Sequence, residues 1–276
     1  MRQASVLLKY ALLIVLAALF VMPLVWLLTA SLRPTQEIFR DVYPLSWHTF
    51  WPESFTLDGY AHLLGGPFAR ALGNSIVLAV CTAVGGVAVN ALAAYPFARL
   101  QFPGRDVLFG LFLVTLMIPF EVTVVPLFVL MKQLGWVDTY QGLILPGIVN
   151  PFAVFLLRQF FVEVPKDVED ASRIDGCSRA GTFWRVVLPT SVPALITVAL
   201  ISFQAGWDAF LWPLVVTNSE ALRVAQVAVA TFIGGDAVNW DQVFTASAVL
   251  ALPSMVLFLV FQRFYVRSGA LTGLKG

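Results

Sequence analysis

Two carboxylates lie inside long apolar stretches of the chain, where ionisable side chains are costly and rare: Glu121 and Asp208. Gln204 precedes Asp208 by four residues, so on a helix the two side chains share one face, with Trp207 beside them. Amides and carboxylates hydrogen-bond hydroxyl groups, and aromatic rings stack on the apolar faces of hydroxyl-rich rings. These four residues therefore suit the wall of a polar path.

The same residues have other interpretations. Each carboxylate can instead form a buried hydrogen bond that holds helices together, or serve as a proton relay in a stand-alone secondary carrier. The aromatic residues are equally typical of a belt at the membrane surface. From the residues alone, a polar path and a structural hydrogen bond are equally favoured.

Catalytic and metal-binding patterns are missing from the sequence. It contains no G-x-x-x-x-G-K-[ST] phosphate loop, no H-E-x-x-H and no G-x-S-x-G. Its two histidines have no clustered carboxylates, so we expect no metal site and no catalytic triad. We therefore predict a non-enzyme with no cofactor of its own. A net charge of +1 without a basic cluster argues against a nucleic-acid partner.

The composition is that of a membrane protein. Hydrophobic residues make up 59% of the 276 residues and charged residues 12%, with a mean hydropathy of +0.84. We predict an all-α polytopic fold, in which residues 1–276 form a single integral-membrane domain with about six spans. The predicted spans cover about residues 10–30, 74–98, 107–130, 142–161, 190–216 and 243–264.

Residues 163–189 form the longest highly charged run in this apolar chain. Pro165 suits a helix start, and Val168, Ala171 and Ile174 recur every three residues as a narrow apolar stripe. Gly176 suits the left-handed position that ends such a helix. The pattern predicts a short amphipathic helix and then, after the glycine, a second helix. From these residues alone, a docking element and a plain solvated loop are equally favoured.

Basic residues predict the orientation. With the N-terminus inside the cell, twelve of the 17 Lys and Arg residues fall on the cytoplasmic side and five fall outside. This arrangement places both termini and the charged run 163–189 in the cytoplasm.

The charged run resembles the EAA loop of ABC-importer permeases, which docks on an ATP-binding subunit. The resemblance rests on an Asp-Gly pair, a Leu-Pro pair and an acidic triplet whose middle residue is Asp where the family usually has Ala. It implies that the coupling residues are Glu169, Asp170, Ala171, Asp175, Gly176, Leu188 and Pro189.

Two further segments resemble the carbohydrate importers of the maltose and glycerol-phosphate type. The run WDAFLWPL, beginning at Trp207, is similar to a W-N-[DE]-F-x-W-P-L run of that subfamily, although the Asn is missing or replaced here. The end SGALTGLKG resembles the subfamily's tail, which implies that Gly273, Lys275 and Gly276 reach toward the ATPase. By position only, a loop with Gly234, Gly235 and Trp240 matches one that contacts the binding protein.

The resemblance covers the whole chain and implies the fold and partners of an ABC-importer permease in a bacterial or archaeal cell membrane. The partners would be a second homologous permease subunit, two ATP-binding cassette subunits that hold ATP and Mg²⁺, and an extracytoplasmic solute-binding protein. The implied substrate is a sugar, an oligosaccharide or a related polyol phosphate. The remaining alternative is the stand-alone carrier that would use Glu121 and Asp208.

Overall fold

The computed structural model describes residues 2–40, 42–44, 46–234 and 238–272, with side chains between residues 6 and 262. Most of these residues are helical, and none of them lies in a β-strand. The helices are α1 (Arg2–Ala30), α2 (Asp58–Gly65), α3 (Phe68–Arg99), α4 (Arg105–Val114), α5 (Phe120–Gln133), α6 (Tyr140–Ile148), α7 (Pro151–Glu163), α8 (Lys166–Ile174), α9 (Arg179–Thr182), α10 (Leu188–Thr190), α11 (Val192–Trp207), α12 (Leu211–Val216), α13 (Ala225–Ile233) and α14 (Trp240–Thr272).

Three helices are long and apolar enough to cross a membrane by themselves. Their candidate spanning parts are Val6–Ala30, Phe68–Arg99 and Trp240–Gln262. Three pairs of shorter helices also pass when each pair is taken together, with bends of 102°, 43° and 80° between the members. The described residues thus contain three to six spans.

Within each of the predicted spans 107–130, 142–161 and 190–216, the structure contains breaks between helices. Pro119 stands between α4 and α5 as the N-cap of α5, and Pro151 is the first residue of α7. A proline lacks the N–H that would continue the preceding helix, which explains these two breaks. In the third predicted span, the 80° bend lies between Thr190 and Val192, and a further break separates α11 from α12 directly after Trp207.

The chain forms two compact units. The first contains residues 1–69 and 225–256. Its core holds the buried Ala30, Ile38 and Phe244, and the ring of Trp26 meets that of Phe244 edge-on at 5.1 Å between centroids. Arg33 is buried here and donates hydrogen bonds to the carbonyls of residues 48 and 49.

The second unit contains residues 70–224 and 257–276 and is built around α3. On α3, Gly86, Asn90 and Ala94 lie four residues apart and form a face of small side chains. A Cβ on Gly86 would lie 2.9 Å from the hydroxyl of Ser202, so α11 approaches this face closely. The approach is equally close when measured from α11: a Cβ on Gly206 would lie 2.9 Å from the Cα of Ala79 on α3.

Asn90 bridges the break between α6 and α7 within this unit. The side chain is fully buried; its amide donates to the carbonyl of Ile148 at 3.0 Å and accepts from the backbone N–H of Asn150 at 3.0 Å. Asn150 in turn caps α7 by accepting from the backbone N–H of Phe152 at 2.9 Å. Backbone groups released by the break are therefore paired inside the protein, as a membrane interior requires.

Candidate coupling site and polar path

The amphipathic helix in the charged run is α8, and it ends as the sequence predicted. Gly176 has φ +87°, in the left-handed region. Its N–H bonds the carbonyl of Arg173 at 3.0 Å, and the N–H of Cys177 bonds the carbonyl of Ser172 at 3.0 Å. This pair of bonds is a Schellman motif, which pairs the last carbonyls of a helix.

A second short helix, α9, follows at once. The hydroxyl of Ser178 accepts from the backbone N–H of Gly181 at 3.1 Å and so caps α9. The hydroxyls of Ser172 on α8 and Thr182 on α9 lie 2.9 Å apart, and both residues are buried. The two helices are thus held together as one folded element.

The same element is anchored to α3 by an ion pair. Arg99, the last residue of α3, places Nε 2.8 Å from Oε1 of Glu169, and the side chains are only 6% and 14% exposed. Arg99 also donates a hydrogen bond to the carbonyl of Val164. Glu169, predicted as a docking residue, therefore has its charge paired within its own chain. Sequence reasoning missed Arg99, because the partner lies 70 residues away and only the fold brings it close.

The remaining predicted coupling residues differ in their exposure to solvent. The exposed ones are Asp170, Ala171, Asp175, Gly176 and Pro189. Leu188 is half-buried and packs against the core of the second unit. The apolar stripe of α8 is open to solvent, with Val168 43% exposed and Ile174 87% exposed.

Two of the four residues of the predicted polar path contact each other. The amide of Gln204 donates to Oδ2 of Asp208 at 2.6 Å, so these two side chains are brought together, as their spacing predicted. Asp208 is exposed at the end of α11. Trp207 is 1% exposed and stacks on Phe203 at 6.2 Å, so its ring faces are covered in this structure.

Glu121 is exposed in the first turn of α5, directly after the break at Pro119. Its neighbour Phe120 meets Trp212 of α12 edge-on at 6.4 Å. The breaks after α4 and α11 are therefore connected by a ring contact, with a carboxylate near each break. Among the described residues, no three His, Cys, Asp or Glu side chains are grouped so as to hold a metal ion.

The predicted binding-protein loop and tail are only partly visible. Trp240 is 41% exposed and meets Phe39 at 5.1 Å within the first unit, and Gly234 is exposed. Gly235 lies outside the described residues, as do Gly273, Lys275 and Gly276 in the tail.

A clip between two loops was not foreseen from the sequence. Asp138, in the turn between α5 and α6, accepts hydrogen bonds on Oδ1 from the backbone N–H groups of Asn218 and Ser219 at 2.9 and 3.0 Å. The Ser219 hydroxyl also donates to it at 3.0 Å. The bond from the Ser219 backbone is the main cause that lowers the pKa of the Asp138 carboxyl. The one available signal is Asp in a Trp-Val-Asp-Thr turn, a residue that tolerates the observed φ of 58°.

Comparison with known proteins shows the family to which this chain belongs. The family described as "Binding-protein-dependent transport system inner membrane component" matches residues 86–269. The arabinooligosaccharides transport system permease protein AraQ of Halalkalibacterium halodurans is 36% identical over 95% of this chain and 93% of its own length. The chain belongs to this family.

Two further similarities bear on this inner membrane component. The sn-glycerol-3-phosphate transport system permease protein UgpE of Yersinia pestis is 36% identical over 73% of this chain and 72% of its own. A crystal structure of a bacterial ABC transporter involved in the import of the polysaccharide alginate contains a chain that superposes with a TM-score of 0.83. That alignment is 19% identical and covers 95% of this chain and 97% of the other. The predicted all-α fold of an ABC-importer permease is confirmed.

The family match of this inner membrane component spans the features described above. Residues 86–269 include α8, the Asn90 bridge, the Asp138 clip and the pair Gln204–Asp208. The residues before 86 in α1, α2 and the first part of α3 fall outside the family match, but the alignment with AraQ covers 95% of the chain.

Proposed function

We propose that this chain is the transmembrane permease subunit of an ATP-driven importer for a sugar, an oligosaccharide or a related polyol phosphate. The observation that carries the proposal is the α8–α9 element, a short amphipathic helix that exposes Val168, Ala171 and Ile174 while Arg99 holds it against α3. An exposed apolar stripe on an anchored helix suits docking of a protein partner. The substrate class is proposed from the transport names of AraQ and UgpE.

The proposed complex contains a second homologous permease, two ATP-binding cassette subunits and an extracytoplasmic solute-binding protein. ATP and Mg²⁺ would bind the cassette subunits, and this chain would have no catalytic role. When the cassettes close, force on α8 would move α3 through Arg99 and Glu169 and switch the path between inward- and outward-facing states. The tail residues Gly273, Lys275 and Gly276 would contact the cassettes, and the loop at Gly234, Gly235 and Trp240 would contact the binding protein.

The proposed substrate path uses carboxylates and an amide beside helix breaks. Discontinuous helices offer unpaired backbone groups and polar side chains to a substrate. Glu121 follows the break before α5, and the hydrogen-bonded pair Gln204–Asp208 stands at the break after α11. In this conformation Trp207 would support the path by packing, since its ring is covered.

Docking is tested by removing the apolar stripe without adding charge. Ile174→Gln should reduce recovery of the ATP-binding subunits with a tagged version of this chain and reduce ATP-driven sugar uptake in vesicles. Lys166→Gln is the control, since residue 166 is exposed on a different side of the same helix. Uptake by the purified chain alone, without ATP-binding subunits, would favour the stand-alone carrier instead.

The proposed orientation in a bacterial or archaeal cell membrane has its own test. A membrane-impermeant thiol reagent applied to intact cells should leave the half-buried Cys177 unmodified but label a cysteine placed at Asn239. Both samples are denatured and relabelled afterwards to prove that each thiol is present. Labelling of Cys177 alone would reverse the topology.

A further inference from the structure

A cavity of about 420 Å³ opens between α8, α9 and the end of α3. This volume lies in the range of small-molecule sites, about 300–1,000 Å³. Among the described residues that line it, Leu100 is the one apolar side chain, and the others are polar or charged. Such a lining suits a ligand with many hydroxyl or charged groups.

The charge of the cavity is positive. Three guanidinium groups line it, from Arg99, Arg173 and Arg179, against the single carboxylate of Glu169. Three positive charges and one negative leave a surplus of two. Glu169 is matched by Arg99, and neither Arg173 nor Arg179 has an ion-pair partner among the described residues. The surplus therefore lies on two arginines that face the cavity from α8 and α9.

The cavity and the apolar stripe occupy different sides of α8. Glu169 and Arg173 are four residues apart and share one face. Ile174 is five positions beyond Glu169, roughly 140° around the helix at about 100° per residue. A partner seated on the stripe at Ile174 would thus leave the cavity free to hold a small molecule.

We propose that this cavity binds a phosphate monoester of a sugar or polyol from the cytoplasm. Guanidinium groups bind phosphate through two parallel hydrogen bonds, and the three arginines would surround it. The hydroxyl of Tyr95, which lies 3.5 Å from the carbonyl of Arg179, stands at the wall where the ligand's own hydroxyls would lie.

Binding would act on the coupling element. The phosphate would connect Arg173 on α8 and Arg179 on α9 to Arg99 on α3, which adds a second anchor beside the pair Arg99–Glu169. A more firmly anchored α8 would move less when the ATP-binding subunits close. The ligand would therefore slow import when phosphorylated sugar accumulates inside the cell; this consequence and the entry from the cytoplasm rest on the proposed function, whereas binding to the cavity does not.

The test measures binding to the complex isolated through this chain, in nanodiscs of neutral lipid, with glucose 6-phosphate as the probe. The wild type should bind glucose 6-phosphate and ignore glucose. Arg173→Gln together with Arg179→Gln should raise the Kd by about tenfold or more. The matched control Arg185→Gln removes an exposed charge from the same loop outside the cavity and should leave the Kd unchanged.

Several results would overturn the proposal. These are no binding by the wild type, equal binding of glucose, or a Kd that the double variant does not change. Nanodiscs with phosphatidylglycerol that abolish probe binding would assign the cavity to a lipid headgroup. A double variant that only loses its ATP-binding subunits would assign the arginines to that interface. If binding holds and uptake does not respond to glucose 6-phosphate sealed inside vesicles, the site stands and its role as a brake fails.

Discussion

Asn90 provides the sharpest test of how the broken helices are held. In Asn90→Leu the side chain keeps the same branched shape and number of heavy atoms but loses both hydrogen bonds, to the carbonyl of Ile148 and from the N–H of Asn150. Each buried polar group left without a partner costs about 1–3 kcal/mol. Two such groups give about 2–6 kcal/mol of lost stability.

Hydrogen bonds between transmembrane helices contribute less on average, about 0.6 kcal/mol in bacteriorhodopsin, because the same groups also find partners in the unfolded state within the membrane. The groups freed here are backbone groups at a break, where no helical partner can replace Asn90, and Asn90 is 0% exposed. We therefore expect Asn90→Leu to lose about 2–6 kcal/mol of stability.

The assay for Asn90→Leu is thermal unfolding of the detergent-solubilised protein together with hydrogen exchange at residues 148–150. We expect a lower midpoint and faster exchange at the break. The control Asn218→Ala changes an exposed asparagine that uses its backbone N–H and should change little. An unchanged midpoint and unchanged exchange in Asn90→Leu would refute the reasoning.

Three further predictions follow from the coupling element, the Asp138 clip and the polar path. Gly176→Val should uncouple ATP hydrolysis from uptake in vesicles while the complex still assembles, because φ +87° strains any residue with a branched Cβ; normal uptake would contradict this. Asp138→Ala should cost about 1 kcal/mol in unfolding measurements, since three hydrogen bonds to a partly exposed carboxylate are lost. The pKa of Asp138 is lowered on folding, so its stabilisation is present above the unfolded pKa and is lost as pH falls through the folded pKa; Asp138→Asn should remove this pH dependence. Asp208→Asn should keep most ATP-driven sugar uptake, with a loss on the order of 1 kcal/mol, because the amide still hydrogen-bonds Gln204; near-complete loss combined with protonophore sensitivity of the wild type would indicate a proton relay.

Local signals in the sequence were sufficient to predict the short helix α8 and its ending. Pro165, the apolar stripe and Gly176 act within two helical turns, so α8 and its Schellman ending could be predicted without any knowledge of packing. The four-residue spacing of Gln204 and Asp208 was likewise sufficient to predict that their side chains lie together, because it also falls within two helical turns.

Features that depend on distant contacts were not predictable. Arg99 and Glu169 are 70 residues apart, and the Asp138 clip joins loops about 80 residues apart. The interruptions of the predicted spans had visible signals, such as Pro119 and the Asn-Pro pair at Pro151, but hydropathy averaged over a span hides them. The burial of Trp207 depends on packing, including the stack on its neighbour Phe203, and no periodicity specifies it.

The close contact of Gly206 with Ala79 has a mechanical consequence. Where α3 and α11 meet there, a Cβ on Gly206 would lie 2.9 Å from the Cα of Ala79, so backbone faces backbone with no side chain between them. Long side chains can rotate and take up sliding between helices, but two backbones in contact cannot. The two helices should therefore tilt together as one stiff lever. A displacement of Arg99, at the end of α3, would then be transmitted to Gln204 and Asp208 on α11 with little reduction in size.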